Sequence, residues 1–290
     1  MDIEALCASS ESAVQSLRAR IKGLGSALVA FSGGVDSTFV LKIAVDELGD
    51  QCVALTALSP SVAADEAAEA KDLAQLLGAR HELIESHELE DPRYAANPSN
   101  RCYFCKTELY TITEKACARL GLNAVLDGFN ADDKKDYRPG HKAANEHFVL
   151  SPLAEAGLTK DQIRAWSKKL GLPTWDKPQL ACLASRLPYG TKVTVERLNK
   201  IGGAEKAVRA LGLKNFRVRF HEQVARLEVS AEELPLLMEP ALRAKIDAAI
   251  KAQGFTFVAV DLEPFRSGRL NDALRKDKEE GGLSLPVLAG

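Results

Sequence analysis

The sequence predicts an α/β protein, a parallel sheet with helices on both faces, followed by a smaller C-terminal α+β domain. Two observations predict it. Short apolar runs suited to buried strands, at 27–31, 52–57, 81–84 and 123–127, alternate with stretches of helical spacing. Strands that alternate with helices build a parallel sheet covered on both faces. Beyond Thr194 the order changes to a helix, two adjacent strands (F-R-V-R-F at Phe216 to Phe220 and V-A-R-L-E-V at Val224 to Val229), a proline-interrupted helix and a last strand at Phe255 to Asp261. That pattern fits a small α+β domain with half-exposed strands. Domain boundaries are therefore expected at 1–191, 192–275 and 276–290, the last a mobile tail opening with K-D-K-E-E-G-G.

Each element has its own signal. Leu6, Val14, Leu17 and Ile21 recur at helical spacing in 4–22, an N-terminal packing helix. Ala27 to Phe31 then reads as a strand, Ser32 to Ser37 (S-G-G-V-D-S) as a polar turn, and Val35, Phe39, Val40 and Ile43 as the face of a helix. Gly33 and Gly34 allow backbone conformations closed to other residues, so successive amides can turn inward at the positive end of the new helix. That is a phosphate site. Ser32 and Ser37 add hydroxyl donors, and Asp36 is placed to hold Mg2+ or to cap the helix. No Lys stands beside Ser37, so this is not the lysine-bearing phosphate loop of nucleotide hydrolases.

After an Ala-rich helix at 61–77 and a third strand, the turn-rich stretch 97–106 presents Cys102 and Cys105 two residues apart, ahead of a helix from Lys106. This spacing serves thiolate ligands of zinc or iron–sulfur clusters. One C-x-x-C is half a zinc site, and Cys182 is the third candidate thiolate, in the irregular stretch 174–191. Three thiolates leave one iron of a four-iron cluster open. A redox dithiol, or unconnected thiols, are the alternatives. Cys7, Cys52 and Cys117 read as core residues. Asp127 to Asp133 closes the fourth strand with carboxylates suited to Mg2+ or ribose, or to solvent. Arg138, in Y-R-P-G, is suited to phosphate or carboxylate. Thr159 to Gln162 forms a capping box.

Arg217 and Arg219 alternate about Val218 and so share one strand face, where two guanidiniums suit an anion between them. Glu205 and Glu228 are candidates to approach that face and hold a metal or balance its charge. Net charge is −2, which provides no global field for polyanions. No basic, apolar leader and no bilayer-length apolar stretch is present, so a cytoplasmic protein with reduced cysteines, no membrane partner and no nucleic-acid partner is expected.

The six residues Ser32 to Ser37 resemble the pyrophosphate loop of the N-type ATP pyrophosphatases, which cleave ATP between its α and β phosphates. Further stretches narrow the resemblance: R-C-Y-F-C-K at 101–106, D-Y-R-P-G at 136–140, W-D-K-P-Q-L-A-C-L-A-S-R-L-P-Y-G at 175–190, R-V-R-F-H at 217–221 and V-D-L-E-P-F-R-S-G-R-L-N at 260–271. Together they resemble the LarE family, the sulfurtransferases of nickel-pincer nucleotide synthesis. The resemblance implies ATP, Mg2+ and a small pyridinium mononucleotide whose carboxylate is adenylated and then converted to a thiocarboxylate by a sulfur source. It implies that Arg217 and Arg219 hold the substrate phosphate, that Ser185 and Arg186 position the reacting groups beside Cys182, and that the chain is a homo-oligomer, a trimer or hexamer. It also implies one of two sulfur routes, a [4Fe-4S] cluster on Cys102, Cys105 and Cys182 or sacrifice of the Cys182 sulfur. With all three cysteines present, the cluster is favoured. The competing classes are a tRNA-thiolating enzyme, which would show salt-steep tRNA binding, and a nucleotide-binding regulator that never releases pyrophosphate.

Overall fold

The computed structural model describes residues 2–135, 139–178, 181–266 and 268–272; Arg138 and the expected tail lie outside them. Helix α1 (Ile3–Lys22) starts from Asp2, whose carboxylate accepts the Ala5 amide at 3.1 Å. It leads into β1 (Ala27–Ala30), α2 (Val35–Leu48), β2 (Cys52–Leu58), α3 (Ala64–Leu76) and β3 (Arg80–Glu85). The short α4 (Pro92–Ala95) precedes the long α5 (Arg101–Leu120), β4 (Val125–Leu126), α6 (Pro139–Glu146), α7 (Pro152–Glu155) and α8 (Lys160–Lys169). The four strands form a parallel sheet in the order β3-β2-β1-β4.

Alternation along β1 assigns the two faces. Ala27 and Val29 join a core with Val14, Leu17 and Ile21 of α1, Phe39 and Ile43 of α2, and Ile163 and Trp166 of α8. Leu28, between them, packs in a separate cluster with Tyr110 and Ala116 of α5 and Ala143 and Ala144 of α6. A strand buried on both faces explains why β1 is apolar throughout.

The remainder comprises α9 (Val195–Ala210), β5 (Phe216–His221), β6 (Val224–Val229), α10 (Pro240–Lys251) and β7 (Phe257–Val260). β5 and β6 are antiparallel, and β7 adds parallel to β6. Leu198, Ile201 and Val208 of α9 pack on Phe216, Val218 and Phe220, and the same core takes in Tyr94, Phe104, Leu183, Ala184 and Leu187. The apolar layer around the second sheet therefore recruits residues from both sides of position 191.

Two expectations change. Helix α5 begins at Arg101, not Lys106, so the cysteine pair lies in a helical first turn; an i, i+3 pair faces one way in a helix as readily as in a turn. The expected half-exposed strands are also absent from β5, where residues 216–220 are all buried, because the 3-10 turn Leu183–Arg186 and Phe265 cover the face that carries the arginines. No helix among the described residues is long and apolar enough to cross a membrane.

Candidate active site

The Ser32–Ser37 loop sits at the carboxyl end of β1, where parallel sheets bind ligands. Its two glycines differ. Gly33 has φ +67°, and a Cβ there would meet the backbone and methyl of Ala70 at 3.3 Å, so α3 presses on the loop. Gly34 has φ −81° and ψ 165°, extended backbone open to any residue, which corrects the expectation that both glycines bend the chain. Among the described residues no side chain caps α2 at Gly34, leaving its first amides for an external acceptor. The hydroxyls of Ser32 and Ser37 lie 3.1 Å apart, and the Ser37 hydroxyl donates to Gly34 O at 3.2 Å. Gly128 is a further glycine that shapes the loop, since its Cβ would lie 2.9 Å from the Ser37 amide nitrogen.

Asp36 does not cap the helix. Its Oδ2 pairs with Lys160 Nζ at 2.5 Å, while Oδ1 is buried with no partner among the described residues. Burial raises its pKa, against the opposing pull of Lys160. A partly dehydrated carboxylate with an unmet oxygen beside a phosphate site suits a metal-bound phosphate. Of the acidic segment, Asp127 is buried, accepting from Tyr110 at 2.9 Å and the Phe129 amide at 3.1 Å, so it is a structural carboxylate. Asp132 accepts the Lys160 amide at 2.9 Å.

Arg101 lies beside two of the three candidate cysteines, Cys182 and Cys102. This arginine is 3% exposed. Its guanidinium donates to Asn97 Oδ1, to Ala184 O at 3.0 Å and to Cys182 Sγ at 3.9 Å, and no carboxylate of the described residues forms an ion pair with it. Its charge also acts on Cys102 and on Tyr94, whose hydroxyl lies 2.6 Å from Ser61 Oγ. Burial, then the nearby Cys182, push the Cys105 thiol up to about 12. Cys102 is exposed, and Cys105 and Cys182 are half-buried. Among the described residues no three His, Cys, Asp or Glu side chains form a closed metal-binding set. Cys102 and Cys182 share this cation, and Cys105 interacts with Cys182 and Cys102. A buried cation among sulfurs and carbonyls favours an anion there, and a thiolate-ligated iron–sulfur centre is one.

Arg186 organises the turn that carries Cys182. Its Nε and Nη2 each bond the Glu205 carboxylate at 2.9 Å, and its Nη1 donates to Ala181 O, to Cys182 O at 3.0 Å and to Ser185 Oγ at 3.0 Å. Glu205 also accepts the Val218 amide at 3.0 Å, tying α9 to β5. Arg219 pairs with Glu228 at 2.8 Å and donates to Ser185 O at 2.9 Å. Glu228 further receives Arg226 at 3.0 Å. Both glutamates, expected near the arginine face, are there, but each carboxylate is engaged by guanidinium and the two serve separate ion pairs. Arg217 stacks on Phe265, 4.6 Å from the ring centroid. Burial first, then Arg186 and Arg219, lower its pKa to about 10, so it stays charged at neutral pH in a crowd of cations.

Sequence reasoning missed Arg101, Lys160, Lys177 and Gly128. Arg101 directly precedes Cys102 and Lys160 stands in the capping box, but only folding brings either to its partner. A cleft of about 840 Å3 opens elsewhere, between the ends of β2 and β3 and α9. Asp65, Glu85 and Glu90 line it together with His87 and Lys206, the last paired with Asp65 at 3.2 Å, so its charge does not favour an anion as the uncapped loop does.

A family model described as NAD synthase matches residues 4–119. An uncharacterized protein of Synechocystis sp. is 45% identical over 266 residues, covering 92% of this chain and 99% of that protein. The pyridinium-3,5-bisthiocarboxylic acid mononucleotide synthase of Lactiplantibacillus plantarum is 38% identical over 261 residues, 90% of this chain and 94% of that enzyme. An uncharacterized protein of Methanocaldococcus jannaschii is 27% identical over 241 residues, 83% of this chain and 90% of its own length.

Proposed function

The chain belongs to the LarE family of pyridinium-3,5-bisthiocarboxylic acid mononucleotide synthases, and from that premise we propose that it adenylates a carboxylate of a pyridinium mononucleotide and replaces the activated oxygen with sulfur. It is an ATP-using sulfurtransferase. The observation that carries the finer reading is the pairing of an uncapped, acid-bearing loop at Ser32–Ser37 with Cys182 and Cys102 beside one buried arginine and Cys105 near both.

In this reading the substrate carboxylate attacks the α-phosphate of ATP, and pyrophosphate leaves into the amides and hydroxyls of Ser32, Gly33, Gly34 and Ser37. Asp36 takes the Mg2+ that travels with the nucleotide. Adenylation is needed because oxide is a poor leaving group and AMP a far better one. Arg217 and Arg219 hold the substrate's own phosphate, and Arg138 contributes a further anion contact. Ser185 and Arg186 act through position, with Arg186 fixing the backbone carbonyls on either side of the Cys182 nitrogen. Cys102, Cys105 and Cys182 would hold a [4Fe-4S] cluster, which when bound supplies an iron position open to an exchangeable sulfur ligand. Arg101 offsets the negative charge of the thiolates.

The test is anaerobic. Protein given ATP, Mg2+, sulfide and pyridinium-3,5-biscarboxylic acid mononucleotide should release pyrophosphate, form thiocarboxylate over many turnovers and contain close to one four-iron cluster per chain. Iron should be lost on replacing Cys102, Cys105 or Cys182 by Ser and kept when Cys7, Cys52 or Cys117 becomes Ala. A single transfer per chain, with Cys182 lighter by the mass of hydrogen sulfide, would make Cys182 the sulfur donor. No pyrophosphate release would remove the adenylation step.

A further inference from the structure

A departing pyrophosphate carries several negative charges, yet Ser32–Ser37 contains no basic residue. Two lysines reach the loop from far along the chain. Lys160, 124 residues after Asp36, sets its ammonium 2.5 Å from Asp36 Oδ2. Lys177, 144 residues after Gly33, donates to Gly33 O at 3.1 Å and to Glu69 Oε2 at 2.8 Å.

Both are held from behind. Lys160 opens α8, whose capping box is closed by Thr159 and Gln162, and its own amide is fixed by Asp132. Lys177 lies in a segment stapled by Arg164, which donates to Trp175 O and Lys177 O, each at 2.7 Å. The backbones are anchored while the ammonium groups stay partly solvated, at 29% and 18% side-chain exposure. Their present counter-ions differ in what they need. Glu69 is 60% exposed and is solvated without Lys177, whereas Asp36 is mostly buried and has one oxygen unmet.

We propose that Lys160 and Lys177 are the phosphate-binding cations of this loop, each exchanging its carboxylate for a pyrophosphate oxygen when nucleotide binds. The exchange breaks two ion pairs and forms two, with no covalent change. It also releases Asp36 Oδ2, so that both oxygens of that carboxylate can turn to the Mg2+ of the nucleotide. An ammonium on an anchored backbone serves a phosphate as a point charge. The proposal rests on the ATP reading above and adds which residues answer the phosphate charge.

The test measures calorimetric binding of inorganic pyrophosphate with Mg2+ and, separately, of AMP. Lys160→Gln and Lys177→Gln should each weaken pyrophosphate by about tenfold or more, the usual effect of losing a charge-assisted contact, with AMP within about twofold. Lys177→Arg should retain most of the affinity. Glu69→Gln, on an exposed side chain, should tighten pyrophosphate binding because it removes the competitor for Lys177. Unchanged pyrophosphate affinity in both glutamine variants would overturn the assignment, as would equal losses for pyrophosphate and AMP, or weaker binding in Glu69→Gln. Wild-type protein that binds neither ligand would instead overturn the ATP reading beneath it.

Discussion

Replacing Glu205 with alanine should cost more stability than any change at the loop itself. Glu205 lies on α9 with its carboxylate receiving two bonds from Arg186 at 2.9 Å and one from the Val218 amide at 3.0 Å. The Arg186 and Glu205 side chains are 3% and 7% exposed, so water cannot take over for the missing partner. Breaking such a pair from one side costs about 3–5 kcal/mol, because an uncompensated buried charge remains. At about 2–4 °C per kcal/mol for a protein of this size, Glu205→Ala should melt about 6–20 °C below wild type by calorimetry. The Arg186→Leu, Glu205→Leu double variant should recover much of that loss, since it leaves no orphaned charge. It should not recover sulfur transfer, because Arg186 also holds Ala181 O and Cys182 O, and without it the Cys182 turn loses its anchor. A drop of less than about 2 °C in Glu205→Ala would refute the claim that this ion pair is the tie between α9, β5 and the cysteine turn.

Gly128→Ala should abolish pyrophosphate binding at a stability cost of about 1–3 kcal/mol, because the added methyl meets the Ser37 amide at 2.9 Å; normal binding in a folded variant would show that the loop yields. Gly34→Val, at an extended φ of −81°, should be milder in stability than Gly33→Val, where φ is +67° and Ala70 stands 3.3 Å away, and chemical denaturation of the pair decides it. Burial raises the Asp36 pKa, so the stability tied to its protonated form is full below its ordinary pKa and is lost as pH rises through the raised value. Asp36→Asn should therefore match or exceed wild-type melting at pH 7 while losing pyrophosphate release; a less stable variant at pH 7 would contradict the sign. Arg217→Ala should weaken the mononucleotide on the order of 2–3 kcal/mol with ATP affinity kept, read by titrating each ligand. Equal losses for both ligands would place Arg217 outside the substrate-phosphate site.

The order of strands and helices, and the place of the phosphate loop among them, were legible in the sequence because both rest on local properties. Apolar runs such as Ala27–Ala30 need burial on two faces wherever they lie, and S-G-G-V-D-S can only follow a strand and open a helix in this way. Pairing was not local. The face of β5 that carries Arg217 and Arg219 looked open by alternation, and it is closed because a turn 34 residues earlier folds over it and binds Arg219 through Ser185 O. The same turn sets Cys182 beside Arg101, 81 residues away, and Arg186 beside Glu205. No periodicity encodes such contacts, since they depend on which layers meet when the two cores close. The sequence by itself therefore determined the fold class, the loop and the candidates for reactive side chains, which follow from spacing and residue type. Only the tertiary structure decided their charge environment: Lys160 and Lys177 at a loop without a base, a buried Arg101 with sulfur for a neighbour, and glutamates occupied by arginines. Charge interactions act through space, and burial, which sets their strength, exists only after the chain has packed.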